Sequence, residues 1–118
     1  GNYERQLANI LDERGFHVMR APASGSATSR ELPDLFWSKA GHTPIAAELK
    51  TRGKEVAYLD KQEVESLQNF AAAFGAYPRL VFRVKGDTTF YVVDPKDAHP
   101  TDKGFRMDKS MHSYTIND

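Results

Sequence analysis

The sequence of 118 residues contains no cysteine and no excess of either charge, since 16 basic side chains balance 16 acidic ones. The absence of cysteine excludes disulfides, thiolate nucleophiles and cysteine-based zinc sites, and it fits a reducing cytoplasm. A neutral chain is not expected to bind nucleic acid through overall basicity. Neutrality is compatible with an enzyme whose carboxylates gather around a divalent metal, because such a site becomes cationic only when it is loaded.

Long apolar runs are also lacking. No stretch approaches the ~20 apolar residues that a membrane-spanning helix needs, and no signal peptide is visible. We therefore expect no membrane contact and a cytoplasmic location. The apolar fraction of 40% in a chain of 118 residues is enough for one compact domain that covers residues 1–118.

Hydrophobic periodicity predicts an α/β domain. Helical spacing of apolar residues predicts a first helix at 3–15 and a second at 59–78. Strands are predicted at 16–20, 33–39, 43–51, 79–84 and 89–94. The segments without a regular pattern are the small, polar loop 21–31 and the polar tail 95–118. The order of helix, three strands, helix and two strands predicts one mixed sheet flanked by helices.

Three charged residues stand out on the predicted hairpin of the second and third strands. Side chains alternate across a strand, so Glu48 and Lys50 share one face, and Asp34 lies near Glu48 if the two strands pair. Two neighbouring carboxylates repel each other and need a cation, for which Mg²⁺ with its oxygen ligands is the simplest choice. The alternative is a solvated ion pair on an exposed sheet face, worth ~0–1 kcal/mol.

The spacing of these residues is similar to a known signature. Pro33-Asp34 followed by Glu48-Leu49-Lys50 resembles the PD-(D/E)XK nuclease motif. The stretch "YERQLANILDERGFHVMRAPASGSATSRELPD" resembles the start of archaeal Holliday junction resolvases. The stretches "YLDKQEVESLQNFAAAFGAYPRLVFRV" and "FYVVDPKD" resemble the later helix and strands of that family. The resemblance covers nearly all of residues 3–97 and implies a restriction-endonuclease-like mixed sheet flanked by helices in a single domain.

The resemblance also implies a catalytic set. Glu4 would join Asp34 and Glu48 as ligands of Mg²⁺, for which Mn²⁺ can substitute, and Lys50 would be the catalytic lysine. Ser24 matches a loop serine that is implicated in activity. From the residues alone, the favoured interpretation of Glu4 is an acid that interacts favourably with the dipole at a helix N-terminus, and the resemblance reverses this preference.

Contacts to DNA are expected from basic and hydroxyl side chains. The candidates are Arg5, Arg20, Ser26, Arg30, Arg52 and Lys54. By resemblance, Arg5 and Arg20 act at or near the scissile phosphate. The run "KTRGKE" at 50–55 is the densest basic stretch and is a candidate patch for the DNA backbone. The alternative for Arg20 is an exposed charge at the end of a strand. For Ser26 and Arg30 it is a flexible surface loop, and for the run 50–55 it is a solvated hairpin tip.

The second predicted helix departs from the family at Glu63, where the family has glutamine. Asp60 and Glu63 form a predicted capping box, so Glu63 is either the cap with a supporting role at the site or a fourth acidic group. Phe70 and Phe74 match aromatic residues at the family's subunit interface, although an apolar helical stripe is more often core. We assign both to the contact of a homodimer, and we interpret His42 as a loop residue.

The expected function is Mg²⁺-dependent hydrolysis of phosphodiester bonds in four-way junction DNA, during DNA recombination and repair. A homodimer would supply two identical sites and make paired, symmetric nicks. The resemblance implies products with 5′ phosphate and 3′ hydroxyl ends. Two alternatives remain open. One is a nuclease of the same superfamily that acts on another DNA substrate, and the other is a non-catalytic DNA-binding module.

Overall fold

The computed structural model describes residues 1–22 and 32–117, and within them the chain forms two α-helices, two 3-10 helices of three residues each (Pro95–Asp97 and Lys109–Met111) and nine strands in two sheets. The α-helices are α1 (Asn2–Glu13) and α2 (Lys61–Phe74). The strands are β1 (His17–Arg20), β2 (Leu35–Ser38), β3 (Ile45–Arg52), β4 (Val56–Asp60), β5 (Tyr77–Val84), β6 (Thr89–Val93), β7 (His99–Pro100), β8 (Gly104–Asp108) and β9 (Tyr114–Asn117). Neither helix is long and apolar enough to cross a membrane.

The larger sheet has six strands in the order β1-β2-β3-β5-β6-β9. Its neighbouring strands run antiparallel except for β3 and β5, which run parallel and are connected through β4 and α2. The smaller sheet has the order β4-β8-β7 and is antiparallel. This is a mixed α/β architecture with helices against the sheet, which confirms the predicted fold class.

Both faces of the larger sheet are buried. On one face, Leu7, Ile10 and Leu11 of α1 pack in a cluster with Ala47 and other side chains of the sheet. The opposite face packs against α2 and the smaller sheet, and residues from all three layers share one core. The members from α2 are Val64, Leu67 and Ala71. The amphipathic stripes that predict the two helices therefore lie on opposite sides of the sheet.

The start and end of α2 follow from its caps. Asp60 and Glu63 form the predicted capping box. Gly75 ends the helix in a left-handed conformation with a φ of 64°, which a glycine adopts without the steric penalty of a Cβ. The predicted stop at Gly75 is confirmed, and Pro78, the second predicted stop, lies beyond the helix because the chain leaves the cap directly into β5. Pro78 is the second residue of that strand, near its start, where a missing N–H is tolerated.

The tail after Asp97 and the segment before α2 contain strands that the sequence patterns did not predict. The strand β4 pairs over its whole length with β8, from Val56 opposite Asp108 to Asp60 opposite Gly104. The basic stretch 50–55 is therefore not the tip of a hairpin, because the chain changes sheets there. At the other end of the molecule, β9 extends the larger sheet by pairing with β6.

Gly104 is a position where two backbones meet. A Cβ atom at this residue would lie 2.0 Å from the carbonyl oxygen of Leu59 and 2.8 Å from the nitrogen of Lys61. We expect Gly104→Ala to destabilise the fold by ~1–3 kcal/mol or more, because backbone atoms must move to relieve the overlap. The measurement is the free energy of unfolding from urea denaturation. Gly53→Ala is the matched control, since no atom lies within 4 Å of its Cβ position, and an equal loss in both variants would contradict the prediction.

Candidate functional site

The pairing of β2 with β3 brings two carboxyl groups together. Leu35 lies opposite Ala47 in the register, so Asp34 and Glu48, the next residues outward, are neighbours across the hairpin. Their side chains are close enough for each to shift the pKa of the other. Asp34 Oδ2 also accepts a hydrogen bond of 2.7 Å from the backbone N–H of Leu49. The position of Asp34 is therefore set by the backbone of the same strand that carries Glu48.

Partial burial disfavours the state in which both carboxyl groups of this pair are ionised. Burial raises the pKa of Asp34, the Leu49 N–H opposes that change, and the charge of Glu4 adds to it. Burial and then the charge of Asp34 raise the pKa of Glu48 to about 8, although the Lys50 ammonium works in the opposite direction. A divalent cation would offset the repulsion, and two adjacent carboxylates are ligands that suit a hard ion such as Mg²⁺.

Lys50 lies on the same face of β3 as Glu48, as the alternation predicts, and forms an ion pair with Glu63 of α2. Both side chains are largely shielded, with 18% of Lys50 and 27% of Glu63 exposed. Burial raises the pKa of Glu63, but hydrogen bonds from Lys50 and from the Asp60 N–H outweigh it, so the pKa is lowered overall. Glu63 is thus both the predicted cap and the partner of Lys50.

Glu4 approaches the pair from the first turn of α1. Its Oε1 atom lies 3.1 Å from the amino group of Gly1 and 3.5 Å from Nη2 of Arg20. Its charge is close enough to raise the pKa of Asp34. Within residues 1–22 and 32–117, however, no three acidic, histidine or cysteine side chains converge closely enough to hold a metal ion. The structure therefore unites Asp34 with Glu48 and places Glu4 beside Arg20.

The basic candidates fall into two groups. Arg20 donates a hydrogen bond of 3.2 Å to the carbonyl of Gly1, while Arg5 is exposed and bonds to Asn2. Arg52, the last residue of β3, and Lys54, in the connection to β4, are both exposed, and the charge of Arg52 helps to lower the pKa of Glu63. The remaining loop candidates, Ser24, Ser26 and Arg30, lie outside the described residues.

Two aromatic candidates lie on the outside of α2. The rings of Phe70 and Phe74 stack with centroids 4.6 Å apart, and both contact the edge of Phe36. Phe74 is 60% exposed, so it is not a core residue. The side chains of Met19 and Leu32, which are 70% and 42% exposed, line the same apolar groove. We call these five residues, Met19, Leu32, Phe36, Phe70 and Phe74, the apolar face.

Arg83 is a site residue that the sequence patterns did not indicate. It is 4% exposed, and its guanidinium lies between the rings of Tyr3 and Phe90, at 4.7 and 4.5 Å from their centroids. This contact attaches the first turn of α1, which carries Glu4, to the sheet. The run "RLVFRV" reads as an apolar strand and gives no signal that an arginine in it is buried. His42, as expected, lies in a turn, where it packs edge-on against Phe16.

Comparison with known proteins connects this arrangement to one family. The family model described as archaeal Holliday junction resolvase (Hjc) matches residues 1–118. The chain belongs to this family.

Individual resolvases are similar over most of the chain. The crossover junction endodeoxyribonuclease Hjc of Methanocaldococcus jannaschii is 28% identical over 98% of this chain and 80% of its own length. The Hjc of Archaeoglobus fulgidus is 32% identical over 93% of this chain and 79% of its own. The match to the Sulfolobus acidocaldarius Hjc, 36% identical, covers 77% of this chain and 64% of that protein. These relatives confirm the resemblance that the motifs indicated.

A solved structure confirms the fold. The A. fulgidus Hjc structure, described as a Holliday junction resolvase from an archaeal hyperthermophile, superposes with a TM-score of 0.84 and 28% identity. The superposition covers 98% of this chain and 93% of that one. The resolvase fold thus positions Asp34, Glu48 and Lys50 along one hairpin in this chain.

The raised pKa of Glu48 predicts a pH-dependent stability in metal-free protein. The folded state keeps the Glu48 proton up to a pKa of about 8, whereas the unfolded chain releases it near the ordinary value of 4.5. Between these two pKa values, unfolding releases the Glu48 proton. The stability that the protonated Glu48 contributes is therefore complete below the unfolded-state pKa and is lost as the pH rises through the folded-state pKa. We expect the melting temperature in EDTA to fall more steeply with pH for wild type than for Glu48→Gln. Parallel curves for the two proteins would contradict this.

Proposed function

We propose that this resolvase-family chain is a structure-specific endonuclease that hydrolyses phosphodiester bonds in four-way junction DNA. The observation that carries the proposal is the half-buried Asp34–Glu48 pair with Lys50 on the same face as Glu48, in a chain whose relatives are named crossover junction endodeoxyribonucleases. We further propose that residues 1–118 act as one nuclease domain in the cytoplasm, in recombination and repair of DNA.

Asp34 and Glu48 would hold Mg²⁺ or Mn²⁺, and Glu4 would be the third carboxylate when its side chain turns from Arg20 towards the pair. A divalent ion in this position supplies positive charge for the scissile phosphate and for the attacking water. The ion pair with Arg20 is 38% exposed on the arginine side. Such partly solvated pairs are weak, so exchange of partners by Glu4 is energetically accessible.

Lys50 and the arginines would act on the substrate directly. Lys50 would orient the attacking water and donate to the phosphate, since its ammonium has three donors and lies on the same face as Glu48. Arg20, once released by Glu4, would hold the phosphate through its planar guanidinium. Arg5, Arg52 and Lys54 would contact the backbone, as would Ser24, Ser26 and Arg30 of the loop. The products would carry 5′ phosphate and 3′ hydroxyl ends.

Asp34→Asn tests the catalytic assignment. We expect it to abolish Mg²⁺-dependent nicking and to leave junction binding intact, because the amide keeps the shape of the side chain and loses its charge. Cleavage of a labelled four-way junction is measured beside a linear duplex and a flap, with and without metal. Asp12→Asn, which makes the same change at an exposed position of α1, is the control and should cut as wild type does.

The substrate panel separates the alternatives. Paired, symmetric nicks confined to the junction support a resolvase. Equal cutting of all three DNAs would instead indicate a nuclease for another substrate. Wild-type protein that binds junctions and never cuts them, in Mg²⁺ or Mn²⁺, would sink the catalytic proposal in favour of a binding module.

Homodimer formation through the apolar face is the second part of the proposal. A two-fold dimer would present two identical sites to opposed strands of a junction. The stacked pair of Phe70 and Phe74 and the exposed Met19 supply apolar area of the kind that interfaces bury.

Phe74→Ala is expected to weaken the dimer by ~2 kcal/mol or more, as removal of a central aromatic anchor does. Sedimentation velocity over a dilution series measures the change. Tyr58→Ala is a matched control, since Tyr58 and Phe74 are each 60% exposed and Tyr58 lies on the smaller sheet. An unaltered dimer in Phe74→Ala, or an equal loss in Tyr58→Ala, contradicts the assignment.

A further inference from the structure

The Glu63 carboxylate connects two parts of the fold. Its Oε1 atom accepts a hydrogen bond of 3.1 Å from the backbone N–H of Asp60, which closes the cap of α2. Its Oε2 atom forms the ion pair with Nζ of Lys50 on β3. A glutamine can supply one acceptor oxygen for the cap, but it has no second oxygen and no charge for an ammonium group. A carboxylate in this position is therefore suited to both contacts at the same time.

The surroundings of the ion pair allow Glu63 to hold the Lys50 ammonium group in one position. Glu63 lines the same concave pocket as Glu48, beside Leu67 of the core. Lysine has a long, flexible side chain, so its ammonium occupies a defined position only where acceptors hold it. The Lys50 side chain is 18% exposed, which leaves few water molecules to compete. The contact with Glu63 thus keeps Nζ on the side of β3 that carries Glu48.

The first turn of α2 is itself firmly placed. The Lys61 N–H donates to the carbonyl of Lys103 at 3.4 Å, so the tail supports the point at which β4 turns into α2. The close approach of Gly104 in β8 to Leu59 supports the same junction of β4 and α2 from the smaller sheet. Glu63 therefore holds Lys50 from a rigid support, which is what accurate positioning of a reacting group requires.

We propose that Glu63 is a positioning residue for Lys50, and that the charged Lys50–Glu63 pair, rather than the cap of α2, sets the rate of cleavage. The inference rests on the proposed function, because it takes Lys50 to act at the scissile phosphate. Glu63 acts through Lys50 and contacts neither the DNA nor the reacting atoms.

The first test compares Glu63→Gln and Glu65→Gln with wild type, all as the full chain. Glu63→Gln keeps an oxygen for the Asp60 N–H and removes the charged partner of Lys50. We expect single-turnover cleavage of a four-way junction at saturating Mg²⁺ to slow by ~10–100-fold, the usual range for residues that support a metal site. Junction affinity, measured in EDTA, should stay at the wild-type value. Glu65→Gln removes the same charge from an exposed position of α2 and should cleave at the wild-type rate.

Asp60→Ala separates positioning from helix capping. This variant removes the N-cap side chain of α2 and leaves both partners of the ion pair in place. A merely structural role for Glu63 predicts that Asp60→Ala slows cleavage as much as Glu63→Gln does. Positioning predicts a much smaller effect of Asp60→Ala on the rate, even where the two variants lose similar thermal stability.

A double-mutant cycle detects the pair without any activity measurement. The unfolding free energies of Lys50→Met, Glu63→Gln and the double variant are compared with wild type in metal-free buffer. Residues in direct contact give non-additive changes, so we expect the double variant to be more stable than the sum of the single losses predicts. Additive changes overturn the proposal.

The remaining outcomes are equally decisive. Wild-type cleavage rates in Glu63→Gln overturn the positioning role, and so do equal rates in Glu63→Gln and Asp60→Ala. Both results leave junction cleavage by the wild-type protein intact. Wild-type protein that cuts no junction overturns the proposed function itself, and the positioning role with it.

Discussion

The repulsion between Asp34 and Glu48 is the constraint around which this protein is arranged. Strand pairing fixes the two carboxyl groups side by side, and both side chains are partly buried. The Leu49 N–H and the Lys50 ammonium offset only part of the unfavourable charge, so both acids keep raised pKa values. In the proposed function this pair binds a divalent cation, whose charge would offset the repulsion. The carboxylate pair that the proposed function requires therefore lowers the stability of the cation-free fold, as is common at functional sites.

The remaining groups reach the pair from separate layers. The parallel connection of β3 to β5 passes through α2 and returns the first turn of that helix to a position over Lys50. From the other face, α1 brings Glu4 next to Arg20. The buried Arg83 attaches that first turn to the sheet through Tyr3. Charged side chains from both helices thus meet at one end of the hairpin, although they are far apart along the chain.

One helix serves three purposes along its length. Val64, Leu67 and Ala71 of α2 enter the core, Glu63 contacts the site, and Phe74 stays exposed beside Phe70 on the apolar face. The residues of the proposed dimer contact and the partner of Lys50 therefore lie on one helix.

Sequence patterns alone predict the two α-helices, the hairpin that carries Asp34 and Glu48, and the shared face of Glu48 and Lys50. Apolar periodicity, caps and strand alternation are local properties, so a short window of residues contains them. The pairing of β4 with β8 and the addition of β9 to the larger sheet depend instead on contacts between distant parts of the chain. Backbone hydrogen bonds of a sheet are available to almost any residue, so partners distant along the chain leave no local signal. The burial of Arg83 and the placement of Glu4 beside Arg20 have the same origin, since each depends on which layers meet.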